Sequence, residues 1–360
     1  MAPINVASKR SVPETQLRAW GACLQNPYAP LVERSRALWG LRHAGEPLAT
    51  ELLCSYLSDV VEPSPAANAL LQHEVAYCLG QRGDLEAVPV LANVMRNSHH
   101  HPVVRHEAAE ALAALCEFPG APIDAIENLF REYVDCDTIE LAHTCGIGLG
   151  RLAWLRQQPK DFPNRTIAKD FFPDTIDPAP GFDPEVRGSP IQLRDLLINP
   201  DQPLFTRYQA LFSLRDYILE AKLYSCANGP SANELATLLA EGLTAPGSAL
   251  LRHEVAYVLG QLAMQVTVPD LAECLQRVTE HPMARHEAAE ALGAVAGQIE
   301  AGLASSGSEE ASTFAKAARC VLRHSLTDKE QLVRESCVLA LDIADYVCST
   351  DQFHYPSMPC

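Results

Sequence analysis

The sequence lacks the features that would place the chain outside the cell or in a membrane. No stretch approaches the roughly 18 uninterrupted apolar residues of a membrane span, and the N-terminal residues MAPINVASKRSVPETQ lack the apolar run of a secretory signal. None of the 12 cysteines forms a CxxC pair, and most lie on apolar stretches where free cysteine acts as a small hydrophobic residue. We expect a cytoplasmic protein, with the nucleus as a second location and no membrane partner.

Basic residues are also scarce, since 28 Lys and Arg stand against 45 Asp and Glu, giving a net charge of −17. Nucleic-acid phosphates are bound mainly by Lys and Arg, so we expect no nucleic-acid partner. An acidic surface favours a cationic substrate or a basic protein partner, although acidity also serves solubility alone.

Alternating runs of Val, Ile and aromatic residues are absent, so the sequence predicts no strands. Short amphipathic segments broken by Pro, Gly, Asn and Asp occur instead, and they occur in pairs. The predicted helix pairs are 14–26 with 31–43, 46–59 with 65–82, 85–97 with 102–117, 122–135 with 137–156, 190–199 with 203–220, 231–243 with 247–264, 267–279 with 282–300, and 311–326 with 329–347.

Gln157 to Pro190 contains seven prolines, which interrupt helices and mark a linker between two halves. Four phenylalanines within it could pin it to a neighbouring surface: Phe162, Phe171, Phe172 and Phe182. The predicted domains are an N-terminal half of four hairpins at 1–156, the Pro-rich linker at 157–189, a C-terminal half of four hairpins at 190–348 and a tail at 349–360.

The two halves are copies of one block. LLQHEVAYCLGQ from Leu70 returns as LLRHEVAYVLGQ from Leu250, and VVRHEAAEALAAL from Val103 returns as MARHEAAEALGAV from Met283. Both pairs are offset by 180 residues, and an earlier pair, starting at Arg34 and Arg207, by 173, which indicates an insertion at about 222–229. Each stretch carries one His-Glu dyad, and the dyads of one half lie 33 residues apart: His73-Glu74, His106-Glu107, His253-Glu254 and His286-Glu287.

A repeated helical pair cannot bury its apolar face alone, so neighbouring pairs must stack. The sequence predicts an all-α fold, an α-solenoid of eight short HEAT-like hairpins in two duplicated halves of four. Ankyrin and tetratricopeptide repeats have similar periods, but their TPLHxA and WxxLGxxY signatures are missing.

In a solenoid the second helices of successive repeats run about 8–10 Å apart, so His73 and His106 should face one side. A metal between them can take one imidazole from each helix and one carboxylate, the donor set of non-haem ferrous iron with positions open for dioxygen. The copied block supplies a second set, and facing halves would bring the two ions to about 4 Å. A single His-Glu dyad on a helix is usually an exposed pair without a function. Four dyads at equivalent positions among apolar residues require a shared partner, because burying an uncompensated charge is costly.

Glu110 and Glu290 follow His106 and His286 by four residues, while Tyr77 and Tyr257 follow the other two histidines at the same spacing. We interpret both glutamates as acceptors for the N–H groups of the imidazoles that bind metal, which would orient those rings without contacting the metal themselves. An ordinary helix-face ion pair with an arginine fits this spacing equally well.

Three further patterns carry no chemistry. His99-His100-His101 is expected in a solvated loop. GIGLG from Gly146 follows no strand and lies within a helical pattern, which indicates close packing rather than dinucleotide binding. No HExxH occurs, so a zincin-type protease is not supported.

The repeats, the Pro-rich connection and the four motifs together closely resemble the deoxyhypusine hydroxylase family, over nearly the full chain. The resemblance implies a di-iron, O2-dependent monooxygenase that hydroxylates the deoxyhypusine side chain of the hypusine-bearing translation initiation factor. It implies two Fe(2+) ions per chain, O2 as co-substrate and an electron donor that the sequence does not identify; for the oligomeric state we expect a monomer.

Matched motif by motif, the resemblance implies that His73, His106 and Glu107 hold one iron. His253, His286 and Glu287 would hold the other. Glu74 and Glu254 would then be catalytic, substrate-binding carboxylates that pair with the cationic amines of the substrate. The sequence leaves open which glutamates are iron ligands.

Two alternatives come from other classes of protein. One is a non-catalytic acidic HEAT-repeat scaffold that binds a basic protein partner, with the dyads as recognition surface. The other is a HEAT-type bilin lyase or related chromophore chaperone. Neither requires four His-Glu dyads in register.

Metal analysis separates these interpretations. We expect the purified protein to contain about two iron atoms per chain and to gain a visible iron absorption band after exposure to oxygen. Protein that lacks iron and is still fully active or fully competent to bind its partner would favour the scaffold.

Overall fold

A computed structural model describes residues 10–58, 69–158, 167–173, 175–224, 229–306 and 308–348. Within these ranges the chain consists of α-helices, short 3-10 turns and one isolated bridge between Arg10 and Ala44, with no strand. The predicted all-α fold class is therefore confirmed. No helix in these ranges combines the length and apolar character that a membrane span needs.

The chain forms two compact units. The first extends to Gly181 and includes Pro203–Gln209, and the second comprises Phe182–Gln202 and the chain from Ala210 onward. The first unit contains α1 (Glu14–Gln25), α2 (Leu31–His43), α3 (Pro47–Ser58), α4 (Ala69–Arg82), α5 (Val88–Arg96), α6 (Pro102–Leu115), α7 (Ile123–Tyr133), α8 (Ile139–Gln157) and α9 (Ile167–Phe171).

The second unit repeats the pattern, and α11 starts within the residues that belong to the first. Its helices are α10 (Pro190–Ile198), α11 (Leu204–Tyr224), α12 (Ala232–Ala240), α13 (Ala249–Leu262), α14 (Val268–Gln276), α15 (Pro282–Ser306), α16 (Glu309–Ser325) and α17 (Gln331–Cys348). Short 3-10 turns at Leu85–Ala87 and Gln265–Thr267 lead into α5 and α14.

Each unit is layered. In the first unit α1, α3 and α5 pack side by side, and the second helices of the four hairpins, α2, α4, α6 and α8, pack against one another in a second row. The outer helix α7 shows one apolar stripe, since Ile126, Leu129 and Phe130 are buried at helical spacing. The inner helix α4 is buried on nearly all faces, including its polar residues Gln72, His73 and Glu74. Those polar groups must find partners inside the protein.

Glycines let the inner helices approach closely. A Cβ added at Gly80 of α4 would lie 2.7 Å from Cα of Ala111 on α6, closer than real Cβ contacts. At the equivalent crossing of α13 and α15, a Cβ on Gly260 would lie 3.1 Å from Cα of Ala291. The GIGLG segment lies within α8, where a Cβ on Gly148 would meet the Phe130 ring at 2.5 Å, so its interpretation as a packing motif is confirmed.

The described parts of the Pro-rich segment are held by hydrogen bonds to the unit to which each part belongs. The amide of Gln81 on α4 donates to the carbonyl of Ile176 at 3.3 Å and accepts from its N–H at 2.7 Å. The rings of Phe171 and Phe172 lie 6.3 Å apart, and the Phe182 N–H donates to Ser213 Oγ at 2.7 Å within the second unit. Phe162 lies outside the described residues.

Most predicted helices match the observed ones within a few residues, and the differences fall at insertions. The helix expected at 203–220 continues to Tyr224, into the insertion placed at 222–229. The helix expected at 282–300 likewise continues to Ser306. Residues 59–68, 225–228 and the tail at 349–360 lie outside the described ranges.

The cysteines within the described residues are all free, as expected for small hydrophobic residues. Burial raises the pKa of the Cys78 and Cys145 thiols to about 12, so both stay protonated. Cys226 and Cys360 lie outside the described residues.

The crossing of α4 and α6 yields a test of packing. Gly80→Ala places a methyl group against the backbone of Ala111, so we expect the free energy of unfolding to fall by about 1–3 kcal/mol. The matched control is Gly146→Ala on α8, where the nearest heavy atom is 3.9 Å away. Alanine favours helix over glycine, so the control should gain up to about 1 kcal/mol. Equal effects of the two substitutions in chemical denaturation would contradict this account.

Candidate metal centre

The first two dyads lie on neighbouring inner helices. His73 and Glu74 are on α4 and His106 and Glu107 are on α6, and we call these four residues the first cluster. Their exposed fractions are 4%, 9%, 0% and 4% respectively. The cluster is therefore inside the protein, where charged groups require partners.

The first cluster brings both imidazoles and both carboxylates into contact. Nε2 of His73 lies 3.2 Å from Oε2 of Glu107, and Nδ1 of His73 lies 3.2 Å from Oε1 of Glu74. The imidazole rings of His73 and His106 have centroids 5.5 Å apart. One potential ligand atom from each of His73, His106 and Glu107 lies within 4.8 Å of the other two.

Charge compensation governs protonation in the first cluster. Burial alone would lower the pKa of His73, but the Glu107 and Glu74 carboxylates outweigh it and raise that pKa well above the usual value. Burial also raises the pKa of Glu110, and the negative charge of Glu107 raises it further. Without a metal, then, the carboxylates hold a positive charge on His73.

The second unit contains the same arrangement. His253 and Glu254 are on α13, His286 and Glu287 are on α15, and these four residues form the second cluster. Nε2 of His253 lies 3.3 Å from Oε2 of Glu287, and the two imidazole centroids are 5.2 Å apart. All four residues are buried. The duplicated sequence therefore produces a duplicated side-chain geometry.

Local contacts fix the start of each second ligand helix. Nδ1 of His101 accepts the N–H of Val103 at the beginning of α6, and Nδ1 of His281 accepts the N–H of Met283 at the beginning of α15. A proline follows each of these histidines, at the first helical position, where its missing N–H costs nothing.

Buried arginines next to the ligands tie each inner helix to its outer partner. Nε of Arg105 donates to the Met95 carbonyl at 2.9 Å, and Nε of Arg285 donates to the Leu275 carbonyl at 2.8 Å. Both carbonyls belong to the last turn of an outer helix, where backbone acceptors lack helical partners. The arginine before the His-Glu dyad thus sets the position of the ligand helix.

The histidine triplet is less solvated than expected. His99 is exposed, but His101 caps α6 and Nδ1 of His100 lies 3.0 Å from Oε1 of the buried Gln72, directly before His73. The three histidines lie in a loop as predicted, but only His99 is exposed, whereas His100 and His101 are half-buried and their rings contact inner helices.

The equivalent contact in the second unit is ionic. Arg252 precedes His253 and forms a two-point ion pair with Glu280, with N–O distances of 2.9 and 2.7 Å. Gln72 and His100 occupy the corresponding positions of the first unit, and in both units the two residues in contact are 28 apart in sequence. The hydrogen-bonding pair of one unit is thus replaced as a whole by an ion pair in the other unit.

Glu290 and Glu110 have different surroundings. Oε1 of Glu290 lies 3.4 Å from Nδ1 of His286 and accepts a hydrogen bond of 2.9 Å from the Ser336 hydroxyl. The pKa of Glu110 is instead raised by burial and by the charge of Glu107, whereas the charge of Arg151 acts to lower it. The contact to Ser336 on α17 spans 46 residues of sequence, and no repeat or motif marked it in advance.

Two other contacts were missed from the sequence. Glu74 reaches back to the imidazole of its own neighbour, although adjacent helical residues point about 100° apart. The Tyr77 ring, one turn after His73, lies against the guanidinium of Arg42 at 5.0 Å, and Trp39 lies on that guanidinium at 4.8 Å. Both depend on side-chain rotamers, which residue spacing does not specify.

The donor sets fit a transition metal. Two imidazoles and a carboxylate on two helices match the sites that hold non-haem ferrous iron and leave coordination positions open. Glu74 can accept the Nδ1 proton of His73, which leaves Nε2 for a metal. In the second cluster Glu290 can do the same for His286.

The charge on His73 can be tested in metal-free protein. Because Glu107 raises the pKa of His73, Glu107→Gln should lower it, as measured by NMR titration of the imidazole. A raised histidine pKa adds stability that is fully present below the unfolded value of about 6.5 and is lost as the pH rises through the folded pKa. The wild type should therefore lose more stability than Glu107→Gln above that pH. Glu51→Gln, an exposed position on α3, is the control, and an unchanged His73 titration in Glu107→Gln would contradict the assignment.

The chain is similar to known proteins in sequence and in structure. A family model for HEAT repeats matches residues 18–113 and 64–135, in agreement with the predicted HEAT-like hairpins. The chain is similar to mouse deoxyhypusine hydroxylase, with 42% identity over 344 residues and 96% of each chain covered. It is 39% identical to the human protein over 335 residues, covering 93% of each chain.

A structure of human deoxyhypusine hydroxylase in complex with glycerol is similar as well. It has a TM-score of 0.71 and 38% identity, covering 92% of this chain and 97% of that one. The resemblance inferred from the four motifs is thereby confirmed. The chain belongs to the deoxyhypusine hydroxylase family.

Proposed function

We propose that this protein hydroxylates the deoxyhypusine side chain of the hypusine-bearing translation initiation factor, as a di-iron, O2-dependent monooxygenase. Relatives named deoxyhypusine hydroxylase, matched over 93–96% of their length, support the substrate. The observation that carries the metal assignment is the buried set of His73, His106 and Glu107, with ligand atoms within 4.8 Å of one another. These three would hold one iron, and His253, His286 and Glu287 would hold the second.

Bound iron would supply the activation of dioxygen for insertion into an unactivated C–H bond, a reaction for which amino-acid side chains have no equivalent. One oxygen atom enters the substrate and the other leaves as water, so a pair of electrons must come from a separate donor. The side chains of the protein would hold the iron, orient its ligands and neutralise the charges of the buried groups.

Orientation of the ligands falls to carboxylates outside the donor sets. Glu74 accepts from Nδ1 of His73, which holds the ring with Nε2 directed toward Glu107. Glu290 lies against Nδ1 of His286 in the second unit. Fixing the proton on one nitrogen makes the other a permanent electron-pair donor, as metal binding requires.

Substrate binding is assigned to Glu74 and Glu254. Deoxyhypusine carries cationic amines, and a partly buried carboxylate pairs with an ammonium more strongly than an exposed one. Glu74, at 9%, is the most exposed member of the first cluster, so it is the one a side chain entering from solvent can reach. Glu254, at 3%, is less exposed than Glu287 at 7%, so its assignment rests on its equivalence to Glu74 in the repeated sequence. The net charge of −17 would also attract a substrate protein with a basic loop.

The scaffold interpretation loses its basis because the dyads are buried. A recognition surface for a basic partner needs exposed carboxylates, whereas both histidines and both glutamates of each cluster are at most 9% exposed. Their burial favours a site that excludes water from its chemistry.

A ligand substitution tests the function. We expect His73→Ala to retain about one iron of two and to lose hydroxylation, because the first cluster loses the side chain that contacts both Glu74 and Glu107. The helical content should persist, since packing depends on the apolar residues of α4. Iron analysis and mass spectrometry of the modified factor measure both effects.

His99→Ala is the control, because His99 is exposed outside the first cluster. It should keep its iron and its activity. Turnover at the wild-type rate in His73→Ala would refute the ligand role of His73.

A further inference from the structure

A serine on the last inner helix contacts the carboxylate behind one ligand. Ser336 on α17 is fully buried, and its hydroxyl donates to Oε1 of Glu290 at 2.9 Å. The same oxygen of Glu290 lies 3.4 Å from Nδ1 of His286, and Oγ of Ser336 is itself 3.5 Å from that nitrogen. The three groups thus form a closed triangle of polar atoms.

The triangle specifies which nitrogen of His286 carries a proton. An ionised carboxylate only accepts hydrogen bonds, and the single proton of the Ser336 hydroxyl is directed to Glu290. With Glu290 ionised, the tautomer of His286 that fits this contact carries its proton on Nδ1 and leaves Nε2 as the electron-pair donor. Ser336 fixes Glu290 from a separate helix, so it limits the rotation of the carboxylate that orients the imidazole.

The first unit lacks this arrangement at the equivalent place. Thr144 on α8 corresponds to Ser336, since a buried cysteine follows each of them, Cys145 and Cys337. The Thr144 hydroxyl donates instead to the carbonyl of Glu140 in its own helix at 2.9 Å.

The charge environment differs too. Arg151, six residues after Cys145, acts electrostatically on Glu110, whereas Ile343 stands at the same distance after Cys337. Glu110 therefore has a cation nearby where Glu290 has a hydroxyl. The two copies of the cluster support their ligands by different means.

We propose that Ser336 is a positioning residue for the second cluster alone, which holds Glu290 so that His286 presents Nε2 to the metal. The consequence is two metal positions of unequal affinity within one duplicated fold, of which only that of the second cluster depends on Ser336. This rests on the proposed function in taking the clusters as metal sites.

The test measures metal binding in single-cluster proteins. In a His73→Ala background only the second cluster retains its donor set, and in a His253→Ala background only the first does. Metal-free protein is titrated with Co(2+) under argon, and the visible ligand-field bands of Co(2+) report occupancy and geometry.

Ser336→Ala should weaken Co(2+) binding by about 10–100-fold in the His73→Ala background, the range for loss of a partner behind a metal ligand. In the His253→Ala background it should change affinity by less than about twofold. Thr144→Val, which removes the corresponding hydroxyl of the first unit, should leave the affinity of the second cluster unchanged.

A double substitution separates positioning from packing. If Ser336 acts through Glu290, adding Ser336→Ala to Glu290→Gln should weaken binding no further, whereas independent effects would add. Unchanged affinity in Ser336→Ala, or full additivity with Glu290→Gln, would overturn the proposal. If the wild type bound neither Co(2+) nor iron, the proposed function itself would fail. That result differs from one in which the wild type binds metal and Ser336→Ala does not change the affinity, which would overturn only the proposal on Ser336.

Discussion

Everything in the candidate centre depends on burying imidazoles and carboxylates together between two helices. A charge removed from water is stable inside a protein only beside an opposite charge or an ion. His73 meets this condition through Glu74 on one ring nitrogen and Glu107 on the other. Such contacts require α4 and α6 to lie very close, which the absence of a side chain at Gly80 permits. The repeat architecture therefore acts as the device that brings ligand side chains from separate helices together.

Duplication has produced two clusters with one geometry and different surroundings. The imidazole pairs of the two units have nearly equal separations, 5.5 and 5.2 Å. The supporting contacts differ: Gln72 with His100 in one unit becomes Arg252 with Glu280 in the other, and Arg151 near Glu110 gives way to Ser336 on Glu290. The ligands define the function, and the residues behind them set the protonation and rigidity of each ligand. Two sites that are alike in donor set can thus differ in chemistry.

The sequence predicted the features that repeat and missed those that occur once. Helical periodicity and Pro or Gly breaks located the helices, and the repeated HEVAY and HEAAE stretches indicated that His73 and His106 would meet. The contact of Glu74 with its neighbouring ring depends on a rotamer, and the contact of Ser336 joins residues 46 apart with no periodic signal. The position of His101 was marked by Pro102, because a proline at the first helical position places the cap directly before it, although His is not one of the usual capping residues. Local motifs and repeats can be predicted from a sequence, whereas a single contact between distant residues can be identified only from the folded structure.

The most direct measurement is anomalous X-ray diffraction at the iron absorption edge from crystals grown anaerobically with ferrous iron. The account predicts one iron peak bonded to His73, His106 and Glu107, and a second bonded to His253, His286 and Glu287. Iron peaks elsewhere on the protein, with no peak in either cluster, would contradict it.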